Sequence, residues 1–277
     1  MKILLFGGSG MVGMELAHAL ASHTIVAPPH SRVDITDTAS VGRVVAEEKP
    51  DFIINAAAII DVGALERDPA LGKRVNTDGA ANVARAAAGA GIAHLFVSSS
   101  YVFGDSPEPY AEDAPAHSTN VYGQTKAEAE SIVLSCGGSV VRSSWLYSSY
   151  RDTFVDEVAK TLNQGRVFEA SAQRGNPTSC VDFASSVVKN FIDSSPKKSA
   201  VYHIVSEGGA SRYEIAREVA RALGVSENLV VAKDFPSSAA RPSVMLKNTK
   251  LPKLPPWEKS LCAYIAATYR QGRSSSV

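Results

Sequence analysis

Gly7-Gly8-Ser9-Gly10-Met11-Val12-Gly13 decides the fold of this chain. The stretch follows a short apolar run and precedes a helical pattern that begins at Met11. Gly7 permits a tight turn, Gly10 lets the backbone approach a pyrophosphate, and Gly13 lets the helix pack closely on a strand. A plain tight turn would also accept these glycines. The strand before them and the helix after them favour a dinucleotide-binding loop.

Short apolar runs alternate with amphipathic stretches along the rest of the chain. This pattern predicts an α/β fold, a Rossmann-type doubly wound parallel sheet covered on both faces. The predicted strands are residues 2–6, 24–27, 51–55, 94–98, 139–142 and 201–205. The predicted helices are residues 11–22, 39–48, 71–90, 121–134, 153–164, 182–191, 213–223 and 257–270.

Cofactor choice depends on the end of the second predicted strand. An NAD-preferring site usually places a carboxylate there, but Ala27-Pro-Pro-His-Ser-Arg32 brings no acid before Asp34. Arg32, helped by Ser31 or His30, could pair with a 2′-phosphate. The alternative is a solvated loop arginine. These residues favour NADPH, with NADH as the second option.

The regular alternation of predicted strands and helices becomes less clear after Arg142. We therefore predict that residues 1–142 form an NADP-binding Rossmann domain, to which residues 181–205 return. Residues 143–180 and 206–277 form a small C-terminal substrate-binding lobe. Within it, Ser211-Arg-Tyr-Glu214 matches a capping box that opens a helix. Residues 236–256 are rich in Pro, Ser and Lys and predict a lid or a surface wrap, and residues 271–277 a frayed tail.

Composition excludes several classes of protein. The 277 residues carry 28 basic and 28 acidic side chains, so no bulk charge draws the chain to nucleic acid or to a membrane. The three cysteines form no CxxC pair and no two histidines have metal-ligand spacing, so we expect neither a disulfide scaffold nor a metal site. The apolar run at residues 3–6 resembles a short signal peptide but reads better as a first strand. We expect a cytoplasmic protein.

Tyr122-Gly-Gln-Thr-Lys126 places a phenol and an ammonium one helical turn apart. By itself this pair could be an ordinary surface pair. However, Ser98-Ser99-Ser100 ends the preceding predicted strand, at the sheet edge where open α/β folds bind ligands. Reducing a ketone needs a proton donor, and a nearby ammonium should lower the tyrosine pKa from its usual value near 10. A serine hydroxyl can hold the carbonyl oxygen as charge develops.

These motifs resemble the extended short-chain dehydrogenase/reductases, of the dTDP-4-dehydrorhamnose reductase type. The matching pieces, in order, are Asp34-Ile-Thr-Asp37, Asn55-Ala-Ala-Ala58, Val75-Asn76, Ser99-x-Tyr-Val-Phe103, Tyr122-Gly-x-Thr-Lys126, Arg142-x-Ser-Trp-x-Tyr147, Pro177-Thr178, Val201-Tyr-His203 and Arg241-Pro242. The resemblance implies reduction of the 4-keto group of a nucleotide-linked 6-deoxysugar with NADPH or NADH.

The resemblance also implies site residues. Tyr122 is the general acid, Lys126 its partner, which also bonds the nicotinamide ribose, and Ser99 the hydroxyl on the carbonyl. The expected cofactor contacts are Gly7, Ser9, Gly10, Met11, Val12, Gly13, Arg32, Asp34, Ile35, Ala56, Ala57, Ala58, Asn76, Ser98, Tyr122 and Lys126. The expected substrate contacts are Ser100, Tyr101, Val102, Trp145 and Arg241. Trp145 could equally be a core residue, and Arg241 a loop arginine that caps a helix.

Some departures from the family pattern concern the substrate. Ser100 stands where the family has an aspartate, residues 62–66 lack another, and Ala172 replaces a third. We therefore expect a pocket for a sugar other than the standard rhamnose precursor. Glu15 matches a magnesium-binding acid of some members, but Ala267 stands at the second such position, so no metal is expected.

Two other functions stay open on the sequence. A nucleotide-sugar epimerase or dehydratase would share the scaffold but needs a further acid or base, which Ser100 does not supply. A non-catalytic, NADP-binding regulatory subunit resembling the methionine adenosyltransferase beta subunit would share Ser98–Phe103. A homodimer is the family's usual assembly.

Overall fold

The computed structural model describes residues 1–194, 199–234 and 242–270. The strands are β1 (Lys2–Phe6), β2 (Thr24–Val26), β3 (Phe52–Asn55), β4 (Ala93–Ser99), β5 (Ser139–Ser143), β6 (Leu146–Tyr147), β7 (Phe168–Ala170), β8 (Arg174–Gly175), β9 (Thr178–Ser179), β10 (Val201–His203), β11 (Ala210–Ser211) and β12 (Val230–Ala232). The α-helices are α1 (Met11–Ala19), α2 (Thr38–Glu48), α3 (Val62–Arg67), α4 (Pro69–Gly72), α5 (Ala80–Gly89), α6 (Val121–Ser135), α7 (Phe154–Asn163), α8 (Cys180–Val187), α9 (Arg212–Leu223) and α10 (Trp257–Ile265).

Six strands form one parallel sheet in the order β10-β5-β4-β3-β1-β2. The chain leaves β1 through α1 to β2 on one side, then returns through α2 to β3 on the other side of β1. The strand order therefore reverses next to β1, and this switch point is where open α/β sheets bind ligands. The glycine loop that follows β1 lies at this switch point.

The sheet is covered on both faces, as the alternating sequence predicted. Ile3 and Leu5 pack with α1 and α8 on one face, while Leu4 and Phe6 pack with α2 and α5 on the other. Successive side chains of a strand point to opposite faces. Each fully buried aliphatic side chain stabilises the fold by roughly 1.5–3 kcal/mol.

A second apolar core lies beside the sheet. Its members come from residues 147–170 and 210–265, and α7, α9 and α10 supply most of them. The parallel ribbon β7–β12 and the antiparallel ribbon β8–β11 border it. Asp156 fixes α10 to α7, because its carboxylate accepts hydrogen bonds from the hydroxyls of Tyr264 and Tyr269, each at 2.7 Å.

The six predicted strands are the six strands of the sheet, with ends displaced by one or two residues. The predicted helix at residues 71–90 is instead three joined pieces, α4, a π-helical stretch at Lys73–Gly79 and α5. The helix α3 and the ribbon strands β7 and β12 were not predicted, since each is too short to show a period. Every helix in the described parts of the chain is too short or too polar to cross a bilayer.

Candidate active site

The glycine loop makes close backbone contacts that exclude any side chain. A Cβ on Gly7, whose φ is +79°, would lie 2.5 Å from the Ala57 nitrogen, and one on Gly13 would lie 2.1 Å from the Gly7 carbonyl oxygen. The helix α1 begins after Gly10 with no side-chain cap from the described residues and no acid in its first turn. Its free N–H groups and positive dipole end suit a pyrophosphate, so the residues present fit a dinucleotide.

Arg32 lies beyond the end of β2 and is engaged with α2. Its Nη2 is 2.5 Å from a Glu48 carboxylate oxygen and 3.5 Å from one of Glu47. The side chain is 45% exposed, so this pairing holds the guanidinium only weakly. Contact with a 2′-phosphate would require Arg32 to leave Glu48.

The predicted adenine side is more ordered. Asp34 Oδ1 accepts hydrogen bonds from the backbone N–H and hydroxyl of Thr36, both at 2.9 Å, which holds the pKa of Asp34 below its usual value. Ile35 is buried, and a Cβ on Gly79 would meet its side chain at 2.8 Å. The turn is thereby fixed against the π-helical stretch.

Asn76 joins the predicted cofactor loop at Ala56, Ala57 and Ala58 to α6. Its Oδ1 accepts from the Ile59 N–H at 2.8 Å, and its Nδ2 donates to the Ile59 carbonyl at 2.9 Å. The same Nδ2 lies 3.3 Å from Thr125 Oγ1 on α6. Asn76 is 1% exposed, which makes it a brace for the loop.

Tyr122 stands in the first turn of α6, a helix whose start is fixed twice. The Asn120 side chain accepts from the Gly123 N–H at 2.7 Å, and a Glu66 carboxylate oxygen accepts from the Val121 N–H at 2.7 Å. The phenol is buried, makes an edge contact with Tyr101 and shares a hydrogen bond with Ser99. The structure thus brings the predicted acid and the predicted carbonyl-holding hydroxyl together.

The pKa of Tyr122 departs from the expectation. Burial raises it to about 12, while the hydrogen bond with Ser99 opposes the rise. The predicted lowering by Lys126 is wrong for this arrangement, because Lys126 Nζ instead donates to the Val97 carbonyl at 2.6 Å. The phenol is therefore fully protonated at neutral pH.

Lys126 is itself a buried cation with 1% exposure. Its Nζ lies 3.8 Å from the centre of the Phe96 ring. Burial lowers the pKa of Lys126 to about 7, and the nearby Glu130 opposes this shift. Its charge state near neutral pH is therefore sensitive to its neighbours.

The predicted substrate residues lie in different surroundings. Ser100 is buried and its hydroxyl lies 3.2 Å from that of Ser144, while Val102 is fully buried in an apolar cluster. Trp145 has a left-handed backbone, with φ +43°, and packs against the second core. Arg241 lies outside the described residues.

Sequence reasoning missed three residues that the structure connects to this site. Glu130 and Arg142 form a buried ion pair at 2.6 Å beside Lys126. Arg212 stacks on the Trp145 ring at 3.9 Å. Glu130 was detectable, since it lies one helical turn after Lys126. Arg212 was not, because nothing local connects it to Trp145.

Within the described parts of the chain, no group of three or more His, Cys, Asp or Glu side chains is arranged to hold a metal ion. Glu15, which matches a metal-binding acid in some relatives, is buried and accepts a hydrogen bond from the Ser148 hydroxyl at 2.7 Å.

Comparison with known proteins gives a consistent result. The profile of the family described as "RmlD substrate binding domain" matches residues 1–270. A dTDP-4-dehydrorhamnose reductase of Streptomyces griseus is 33% identical over 252 residues, covering 87% of this chain and 82% of the relative. A dTDP-4-keto-6-deoxy-D-glucose reductase of Streptomyces niveus is 34% identical over 235 residues, covering 82% and 80%. The crystal structure of dTDP-4-dehydrorhamnose reductase from Bacillus anthracis in complex with NADP superposes with a TM-score of 0.89 at 28% identity, covering 96% and 99%.

Proposed function

The chain belongs to the RmlD substrate binding domain family, and on that premise we propose that it reduces the 4-keto group of a nucleotide-linked 6-deoxysugar with NADPH. Relatives named as reductases of such sugars match more than four fifths of the chain. The observation that carries the proposal is the placing of the Tyr122 phenol against Ser99 at the carboxyl end of β4, at the sheet edge where such folds bind ligands.

The cofactor would be held by the glycine loop and α1 at the pyrophosphate, by Asp34 and Ile35 at the adenine side, and by the loop at Ala56–Ala58. NADPH supplies the hydride that goes to the carbonyl carbon. Arg32 is proposed to pair with the 2′-phosphate after leaving Glu48. Each of these assignments is a proposal from geometry and family resemblance.

Tyr122 would give its proton to the carbonyl oxygen as negative charge develops there. Burial keeps the phenol protonated until that charge appears, and an alkoxide is a strong enough base to take the proton. Ser99 would hold the same oxygen by a hydrogen bond. The positive charge of Lys126 reduces the cost of forming the phenolate.

The sugar would lie between the sheet edge and the second core. We propose that residues 143–180 and 206–277 form the sugar-binding lobe, because the second core draws its members from these ranges. Ser100 and Ser144 would offer hydroxyls to the sugar, and Trp145 would offer an apolar surface. A pocket with hydroxyls in place of the family's carboxylate should favour a sugar other than the rhamnose precursor.

The test is to mix the protein with NADPH and dTDP-4-keto-6-deoxy sugars and to follow nicotinamide absorbance. Tyr122→Phe should lower turnover on the order of 10²–10⁴-fold with folding intact, the usual scale for loss of a general acid. Tyr150→Phe is the matched control, since Tyr150 is 39% exposed. Wild-type turnover in Tyr122→Phe would contradict the mechanism. Net consumption of NADPH separates a reductase from an epimerase, which returns its hydride.

A further inference from the structure

Lys126 has few partners for a buried ammonium. The described contacts of its Nζ are the Val97 carbonyl at 2.6 Å and the face of the Phe96 ring at 3.8 Å. Burial in such a place disfavours the charged form of a lysine. The role proposed for Lys126 needs that charge, so a further group must support it.

Glu130 is in position to do so. It lies one turn after Lys126 on α6 and is 3% exposed. Its carboxylate accepts hydrogen bonds from the Ser98 hydroxyl at 2.5 Å and from Arg142 Nε at 2.9 Å and Nη2 at 2.6 Å. These donors fix the position of the carboxylate.

The donors come from the sheet edge that carries the site. Ser98 on β4 and Arg142 on β5 are direct partners in the strand register, and Ser98 precedes Ser99. Glu130 therefore connects α6, which carries Tyr122 and Lys126, to the strand ends.

Other ionisable groups lie on α6 and on the elements packed against it. Those on the packed elements are Glu66 and Arg67 on α3, Lys73, Arg74 and Asp78 on the π-helical stretch, Arg85 on α5, His94 on β4, Tyr101 in the turn after β4, Arg142 on β5, and Tyr122 and Glu128 on α6 itself. Beyond Arg142 lie His203 on β10, whose pKa burial lowers to about 4, and Glu112. Glu130 is a buried carboxylate one helical turn from Lys126, and its charge opposes the lowering of the Lys126 pKa by burial.

We propose that Glu130 is a positioning residue that keeps Lys126 charged and in place behind Tyr122, with Arg142 and Ser98 holding its carboxylate. This inference rests on the proposed function, since Lys126 acts there through Tyr122. Without the Glu130 charge, two buried cations, Lys126 and Arg142, would face each other uncompensated.

The experiment titrates Lys126 directly, in protein without substrate, by NMR of ¹⁵N-labelled lysine side chains. Lys126→Met assigns the signal. In Glu130→Gln the Lys126 midpoint should fall by about one pH unit, which is about a tenfold change in its ionisation equilibrium. Glu128→Gln is the control, because Glu128 is 56% exposed on the same helix and pairs with Lys73. In this variant the Lys126 midpoint should equal that of the wild type.

Arg142→Met gives a prediction of opposite sign. It leaves the Glu130 charge in place with Lys126 as the nearest cation, so the Lys126 midpoint should rise. This variant also keeps the test decisive if Glu130→Gln does not fold. A role confined to packing would not move the midpoint in opposite directions.

Reductase activity supplies a second readout. The alkaline limb of kcat in Glu130→Gln should move to lower pH with the Lys126 midpoint, so activity lost at higher pH returns on acidification, with KM for NADPH little changed. An unmoved Lys126 midpoint in folded Glu130→Gln or Arg142→Met would overturn the inference. If the protein consumes NADPH with none of the keto sugars, the proposed function is wrong, but the titration result for Lys126 still holds.

Discussion

The sheet edge and the second core meet at the proposed active site, yet each is held in a different way. On the sheet side, a Cβ on Gly123 would lie 1.7 Å from the Tyr101 carbonyl oxygen. On the lobe side, a Cβ on Gly175 would lie 2.5 Å from the Trp145 indole. The first contact is against backbone and the second is against a side chain. The side that carries Tyr122 is therefore fixed by the chain path, whereas the side that carries Trp145 can adjust.

An arginine in each region shows the same difference: one is held rigidly and the other can adjust. Arg142, next to α6, is 4% exposed and is held by hydrogen bonds from its Nε and Nη2 to Glu130. Arg212, in the lobe, lies over the rings of Trp145 at 3.9 Å and Phe154 at 4.3 Å. A bidentate ion pair sets direction strongly, whereas stacking tolerates sliding. A rigid proposed proton donor beside an adaptable proposed sugar surface would suit a family whose named members reduce different sugars.

Gly123→Ala should have the largest effect of the substitutions that test this contrast. Neither α6 nor the Tyr101 backbone can move without displacing Tyr122, so we expect a loss of about 3 kcal/mol or more in unfolding free energy. Reductase activity should fall with it. Urea unfolding measures the stability, and a wild-type unfolding curve would show that the two backbones are not fixed to each other.

Gly175→Ala is the matched change on the lobe side. The Trp145 ring can turn away from the new methyl, so the expected cost is about 1–2 kcal/mol. The KM for the sugar should rise while NADPH affinity stays constant. Gly42→Ala serves as control, since no atom outside its own helix lies within 4 Å of its added Cβ. Equal costs for Gly123→Ala and Gly175→Ala would erase the contrast.

Arg212→Ala should act on the sugar alone. Loss of the stacked guanidinium frees the Trp145 ring and removes about 1 kcal/mol of cation–π interaction, which corresponds to roughly a fivefold rise in the KM for the sugar. Steady-state kinetics with NADPH in excess would measure it. Arg217→Ala, on the same helix but paired with Glu227, should leave KM unchanged. A fall in NADPH affinity in Arg212→Ala would contradict a role confined to the sugar.

Arg32→Ala should have the smallest effect, because the arginine is half exposed and must first leave Glu48. We expect the preference for NADPH over NADH to fall by about threefold. Fluorescence titration with both cofactors measures the ratio, and Arg43→Ala on the neighbouring α2 is the control. An unchanged ratio would remove Arg32 from the cofactor site.

The sheet could be predicted from the sequence because its signals are local. Each buried strand is a short apolar run bounded by turn residues, and the glycine loop fixes the first of them. The break within residues 71–90 could not be predicted, because the π-helical stretch keeps an unbroken helical composition. The short ribbons β7–β12 and β8–β11 join residues far apart in the chain, which no local period reveals.

The proximity of two candidate site residues was predictable from their motifs, whereas the long-range contacts around them were not. Tyr122 and Ser99 meet as expected. The pKa of Tyr122 was misjudged because proximity in sequence to Lys126 says nothing of where the ammonium points. The contact between Arg142 and Glu130 depends on how α6 packs on β5, and the pairing of Arg142 with Ser98 depends on the register of β4 and β5; no single segment of the sequence encodes either.

The π-helical stretch Lys73–Gly79 sets the direction in which the side chain of Asn76 points. One residue turns an α-helix by about 100°, and π segments arise where a helix carries one residue more than α spacing needs. Deleting a residue before Asn76 would restore α spacing and swing its amide away from Ile59. The number of residues between α4 and α5 is therefore as constrained as their identity. Surface turns tolerate the deletion of a residue, but a deletion in this stretch should disrupt the contacts of Asn76.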